Sequence, residues 1–145
     1  MATDQIDLFG VWKLRAFYIE NPETGERFEP MGAAPRGALI MHPGGRMMTV
    51  VTPSEQPIPK TQADEAAAFQ KMIAYSGQFR LEPPDRFVTT VDVARQQPWV
   101  GTEQARTYKC DGHTLDIITA QGRVPLTGNA LVIGVLSWVR ESTAA

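Results

Sequence analysis

Arg106 is the sharpest chemical feature of the chain. It lies in Glu103–Cys110, where Glu103, Thr107 and Lys109 share one face and Gln104, Arg106, Tyr108 and Cys110 share the other. In a strand with the first face in water, the second points inward and takes the guanidinium with it. A buried guanidinium requires a partner, because an unpaired charge out of water is costly. One candidate is Asp92 on the preceding strand, an arrangement that would do no more than fix strand register. The other is a ligand carboxylate or enolate, which a guanidinium grips in a fork. Tyr18 shares the phase of Trp12 and is placed to donate a hydrogen bond inward, or else to fill a core with its hydroxyl at the rim. With Tyr108 and Arg106 it would polarise a carbonyl in the manner of an oxyanion hole, leaving Asp92 as the base. Trp99, between Pro98 and Gly101, would wall a pocket mouth or cover a core.

Other reactive side chains carry less. His42 and His113 abut the turns at Pro43 and Gly112 and read as exposed turn residues. Neither has metal-ligand spacing to Cys110, so no metal site is expected, and Cys110 reads as an inert, half-buried thiol. Met41, Met47, Met48 and Met72 would supply an adaptable apolar lining or fill a core. No phosphate loop, dinucleotide glycine fingerprint or nucleophile elbow occurs, so no cofactor is expected.

The elements that must position these groups are mostly strands. Trp12, Leu14, Ala16 and Tyr18 alternate with Lys13 and Arg15. Strands over 37–42 and 46–52 flank the Pro43-Gly44-Gly45 turn. The segment Pro53–Pro59 is too proline-rich for a central strand. Residues Ala63–Tyr75 are rich in Ala, Glu, Gln and Lys and predict the one helix. Thr61 or Asp64 would cap it, and Phe69, Met72 and Ile73 would share a face with Ala66. Strands return over 78–81, 87–94, 103–110, 114–120 and 131–140, with Asp111-Gly112 a strong hairpin turn and 122–128 a loop.

Eight strands joined neighbour to neighbour close most economically as an antiparallel up-and-down barrel, here with one inserted helix. The ends of the chain support closure. Trp12 in Gly10-Val11-Trp12 and Arg140 in Trp138-Val139-Arg140 match the plug of lipocalin-type barrels, a guanidinium stacked on an indole. The alternative is two unrelated core tryptophans.

The whole chain, 1–145, reads as a single domain. A formal net charge of −2 with no basic run argues against nucleic acid as a partner. The longest apolar stretch, Ala130–Val139, is too short to span a bilayer as a helix. The first residues, Met1-Ala2-Thr3-Asp4-Gln5, lack a secretory pattern, and a single cysteine excludes an internal disulfide, so a cytoplasmic setting is the expectation. The last strand is apolar on both faces (Leu131, Ile133, Val135; Val132, Leu136, Trp138). It would be covered by the helix or by a second subunit, which makes a homodimer a candidate assembly.

Several ordered segments together resemble the small bacterial and fungal family of lipocalin-like domain proteins, from about Leu8 to Arg140. They are Gly10-Val11-Trp12; Gly37-Ala38-Leu39-Ile40 ahead of Pro43-Gly44-Gly45-Arg46-Met47; Asp64–Phe69; Tyr75-Ser76-Gly77; Trp99–Arg106; and Leu136–Arg140. The resemblance implies a single-domain lipocalin-like barrel. Many relatives carry histidine just ahead of the acidic residue matching Asp92, where this chain has Thr89 and Thr90, so a histidine–carboxylate pair is not expected here. The first expectation is a barrel that binds a small, largely apolar molecule in its lumen. The second is a cofactor-independent cyclase or isomerase acting on a polyketide- or terpenoid-like substrate, since a few related barrels are such enzymes. The third is a barrel with a filled core that serves as a protein-interaction module.

Overall fold

Turn chemistry separates the two ends of the molecule. The computed structural model describes residues 8–123 and 130–143; the opening residues Met1–Gln5 and most of the 122–128 loop lie outside the described residues. The strands are β1 (Gly10–Glu20), β2 (Arg27–Phe28), β3 (Arg36–Met41), β4 (Arg46–Thr52), β5 (Ile73–Glu82), β6 (Arg86–Ala94), β7 (Glu103–Cys110), β8 (Thr114–Ile118), β9 (Gly122–Arg123) and β10 (Leu131–Thr143), with helix α1 at Gln62–Lys71. Hairpins β3–β4, β5–β6 and β7–β8 turn at one end through short, Gly- or Pro-containing links. At the β3–β4 turn Gly45 adopts φ +100° and at the β7–β8 turn Gly112 adopts φ +92°, a region that favours glycine. The long connections, including α1 and a 3-10 turn at Gln97–Trp99, lie at the opposite end.

The sheet runs β1-β3-β4-β5-β6-β7-β8-β10, every neighbour antiparallel, and closes through β1–β10. The chain is therefore a closed eight-stranded antiparallel barrel with one helix. The seam is long, running from Gly10↔Thr143 to Glu20↔Ile133. The two-residue strands β2 and β9 extend the edges of β1 and β10 near the long-loop end. One cluster fills the short-hairpin end, built from Leu8, Trp12, Leu14, Leu39, Met41, Met47, Phe87, Tyr108, Leu115 and Trp138.

Helix α1 begins where Thr61 Oγ1 accepts the Asp64 N–H at 3.1 Å, with Asp64 and Glu65 in the first turn. It ends four residues earlier than its composition predicts. Ile73 pairs with Val51 and Tyr75 with Thr49, so 73–75 belong to β5. The bonds offered by β4 outweigh helix propensity, and Ile and Tyr suit a strand. The helix buries none of its side chains, so it does not cover the last strand. Phe69 lies half in water under the Arg95 guanidinium, 4.9 Å from the ring centroid. Arg95 Nε also donates to the Met72 carbonyl at 3.0 Å, tying the end of the helix to the segment after β6.

Candidate functional site

The closed end is built first. Trp12 and Arg140 are register partners across the seam, and the Arg140 guanidinium carbon lies 4.2 Å from the Trp12 ring centroid. Arg140 Nε donates to Gly112 O at 2.6 Å and one terminal nitrogen to Phe9 O at 2.8 Å. Trp12 Nε1 donates to Leu8 O at 3.0 Å. One side chain thus clamps the chain start, the seam and the β7–β8 hairpin.

Above this floor the barrel is not filled. A cavity of about 290 Å³, open toward the long-loop end, is lined by residues from all eight barrel strands. Leu39, Met47, Phe87, Ile117, Leu136 and Trp138 make up much of its apolar wall. Trp99 from the 3-10 turn also lines it, held edge-on to Tyr75 with ring centroids 5.3 Å apart. The turn is fixed from below: Gly101 N–H donates to Val91 O at 2.8 Å and Thr102 Oγ1 donates to Trp99 O at 2.6 Å.

Two bulges decide which side chains reach the cavity. On β1 the register slips between Leu14 and Ala16, opposite Trp138 and Ser137, so Arg15 is the extra residue. A bulge sets two residues against one and inverts the facing of all that follow. Phe17 and Ile19 therefore line the cavity. Tyr18, expected to point inward, faces out with the Arg27 guanidinium carbon 4.2 Å from its ring; that expectation is corrected. On β6 a second slip, opposite Ser76 and Gly77, leaves Asp92 as the extra residue, and both Asp92 and Val93 are exposed. Asp92 does not pair with Arg106. It sits on the outer face and forms a two-pronged ion pair with Arg46, at 3.0 and 2.8 Å. Arg46 reaches it across β5, donating to Ser76 Oγ on the way at 3.0 Å. The pair holds the Asp92 carboxyl below its ordinary range. The inward base expected at Asp92 is thereby withdrawn.

Arg106 lines the cavity and is half-buried. Its guanidinium donates to two neutral oxygens, Ala105 O at 2.9 Å and Gln104 Oε1 at 3.2 Å. Among the described residues it forms no ion pair. Tyr108 is buried in the core against Phe87, ring centroids 6.0 Å apart, and does not line the cavity. The tyrosine that does line it is Tyr75, which composition alone assigns to the end of the helix. Burial raises the Tyr75 phenol above its ordinary value, and the nearby charge of Arg106 offsets part of that rise. The phenol therefore stays protonated near neutral pH and is a donor. A strand-compatible run, Ile73-Ala74-Tyr75, was the signal that would have found it.

The remaining reactive groups fall elsewhere. His42 Nδ1 accepts the Gly44 N–H at 2.9 Å within its turn, and His113 sits in the turn closed by Asp111. Met47 lines the cavity and Met41 is in the core, whereas Met48 is exposed on the outer wall. Among the described residues no cluster of His, Cys, Asp or Glu is placed to hold a metal ion. No helix among them is long and apolar enough to cross a membrane.

The family model described as a lipocalin-like domain matches residues 9–141. The chain belongs to that family. No curated protein matches it. The match spans the lipocalin-like barrel from Phe9, just before β1, to the residue after Arg140, and so includes both partners of the plug. Fold membership supports a ligand-binding barrel in general terms; the lining determines what such a lipocalin-like lumen accepts.

Proposed function

We propose that this barrel binds one small, largely apolar molecule in its lumen, with Arg106 orienting the bound molecule. One observation carries the reading. An apolar cavity of about 290 Å³ reaches a guanidinium that meets only neutral oxygens. Small-molecule sites have this character, a mostly apolar lining with a few convergent polar groups, at volumes of about 300–1,000 Å³. An engineered cavity of ~150 Å³ holds benzene, so the space suits a ligand of roughly two rings or a short chain.

The cyclase or isomerase reading is weaker on the same grounds. Proton abstraction needs a base within hydrogen-bond reach. The cavity lining among the described residues contains no Asp, Glu or His. Tyr75 and Arg106 favour holding an oxygen acceptor over removing a proton.

Titration with 1-aminoanthracene, a neutral apolar fluorophore, tests the reading. Saturable one-to-one binding is expected, lost in Gly134→Leu. Gly134 lines the cavity, and a side chain there would project from beside Thr119 and Phe17 into the space. Non-saturable partitioning, or binding unchanged in Gly134→Leu, would overturn it.

A further inference from the structure

Resting on the ligand-binding reading, we infer that the lumen selects an apolar monocarboxylate, its head group held between the Arg106 guanidinium and the Tyr75 hydroxyl and its body lying on Leu39, Met47 and Leu136. The argument begins with charge. Arg106 lines the cavity and meets no carboxylate among the described residues. Its two hydrogen bonds go to an amide oxygen of Gln104 and to the neighbouring carbonyl of Ala105, neither of which neutralises it. Three acidic side chains on β5, β6 and β7 are already committed: Asp92 to Arg46, Glu103 to Arg80, and Glu82 to Arg80 and Arg86. A cation held in an apolar wall with only neutral partners gains most from an anion that enters with the ligand.

The second group is Tyr75. It lines the same cavity, its ring stands edge-on to Trp99, and its hydroxyl makes no hydrogen bond within the described residues. Burial favours its protonated form, so it has a hydrogen to offer an acceptor. The guanidinium presents only donors, and the phenol adds one more. That combination favours a carboxylate over an amine, which would bring a second cation, and over an alcohol, which would leave the charge unbalanced. One guanidinium against one carboxylate balances one charge, so a second anionic group would enter without a partner. The body of the ligand meets mostly apolar side chains, with Thr49 and the buried Trp138 Nε1–H, which has no partner among the described residues, as polar groups on the cavity wall.

The test compares three naphthalenes of one shape: 2-naphthoic acid, 2-naphthalenemethanol and methyl 2-naphthoate. Isothermal titration calorimetry at pH 7.5 on the full chain gives each affinity. The acid is expected to bind at least tenfold more tightly than the alcohol and the ester. Arg106→Gln should abolish that preference, bringing the acid's affinity to within about threefold of the alcohol's in the same variant. Tyr75→Phe should weaken the acid by threefold or more. Circular dichroism and a urea midpoint establish that each variant is folded; if Arg106→Gln is not, Arg106→Lys, which keeps the charge and loses the fork, should retain a reduced preference. Equal affinity of acid and alcohol in the parent chain, or a preference that survives Arg106→Gln, overturns the inference and leaves the ligand-binding reading standing. Failure of all three to bind overturns both.

Discussion

Replacing Arg140 with Met removes the clamp at the closed end while keeping most of the aliphatic stem. The guanidinium makes one stacking contact with Trp12 and donates to Gly112 O and Phe9 O. A cation–π contact contributes about 0.5–2 kcal/mol. Hydrogen bonds from a charged donor contribute about 1.5–3 kcal/mol each, less where water can replace the lost donor, as it can at a barrel end. These contacts share one side chain and do not add in full, which places the expected loss at about 2–4 kcal/mol. With a urea m-value of about 2 kcal/mol/M, the midpoint should fall by about 1–2 M with the slope unchanged. Trp12→Leu, alone and combined with Arg140→Met, isolates the stacking term, which should emerge as a coupling of about 0.5–2 kcal/mol. A midpoint within about 0.25 M of the parent, or a vanishing coupling, would refute the clamp as the closure of the seam.

Asp92→Asn should leave the affinity for naphthoic acid within about twofold, because the carboxylate lies outside the barrel on Arg46; a tenfold loss by calorimetry would put it back in the lumen. Gly77→Ala should lower stability by about 1–3 kcal/mol or prevent folding, since an added Cβ would collide with the Thr90 backbone carbonyl, which has no flexible end to move aside; a urea midpoint at the parent value would contradict that packing. Asp92, Glu103 and Asp111 all have carboxyls held below their ordinary values by Arg46, by Arg80 and by the N–H groups of the β7–β8 turn, respectively. Groups depressed in the folded state stabilise it above their unfolded values, so the urea midpoint should be flat from pH 6 to 8 and fall once the pH drops below about 4.5. A midpoint that rises on acidification through that window would contradict the sign.

Closure was legible because it is written in residues with few alternatives. Trp12 of Gly10-Val11-Trp12 pairs with Arg140 of Trp138-Val139-Arg140 across the seam, and the turns at Gly45 and Gly112 need the positive φ that glycine supplies. Facing was legible only as far as the first irregularity in each strand. Simple alternation carried Trp12 and Leu14 inward, but the extra residue at Arg15 exchanged Tyr18 for Phe17 and Ile19. Nothing in the local composition of β1 announces that bulge, which arises from how β1 and β10 share register. Asp92 was misread for a related reason: its partner is Arg46, two strands away across β5, and pairing over that distance depends on sheet order. Tyr75 was missed because ten helix-favouring residues precede it and outweigh the short strand-compatible run Ile73-Ala74-Tyr75, where β4 competes for the backbone. Arg106 was found because β7 keeps its register with both neighbours without a bulge, so simple alternation places it correctly on the lumen side.

Met47 and Met48 are adjacent in sequence and face opposite ways, the first into the cavity and the second, about half exposed, onto the outer wall. Their methyl resonances, labelled with carbon-13, report directly on where a ligand goes. On titration with 2-naphthoic acid, the Met47 methyl should move and saturate at one equivalent while Met48 stays in place. A Met48 shift with Met47 unmoved would put the ligand outside the barrel and contradict the central claim.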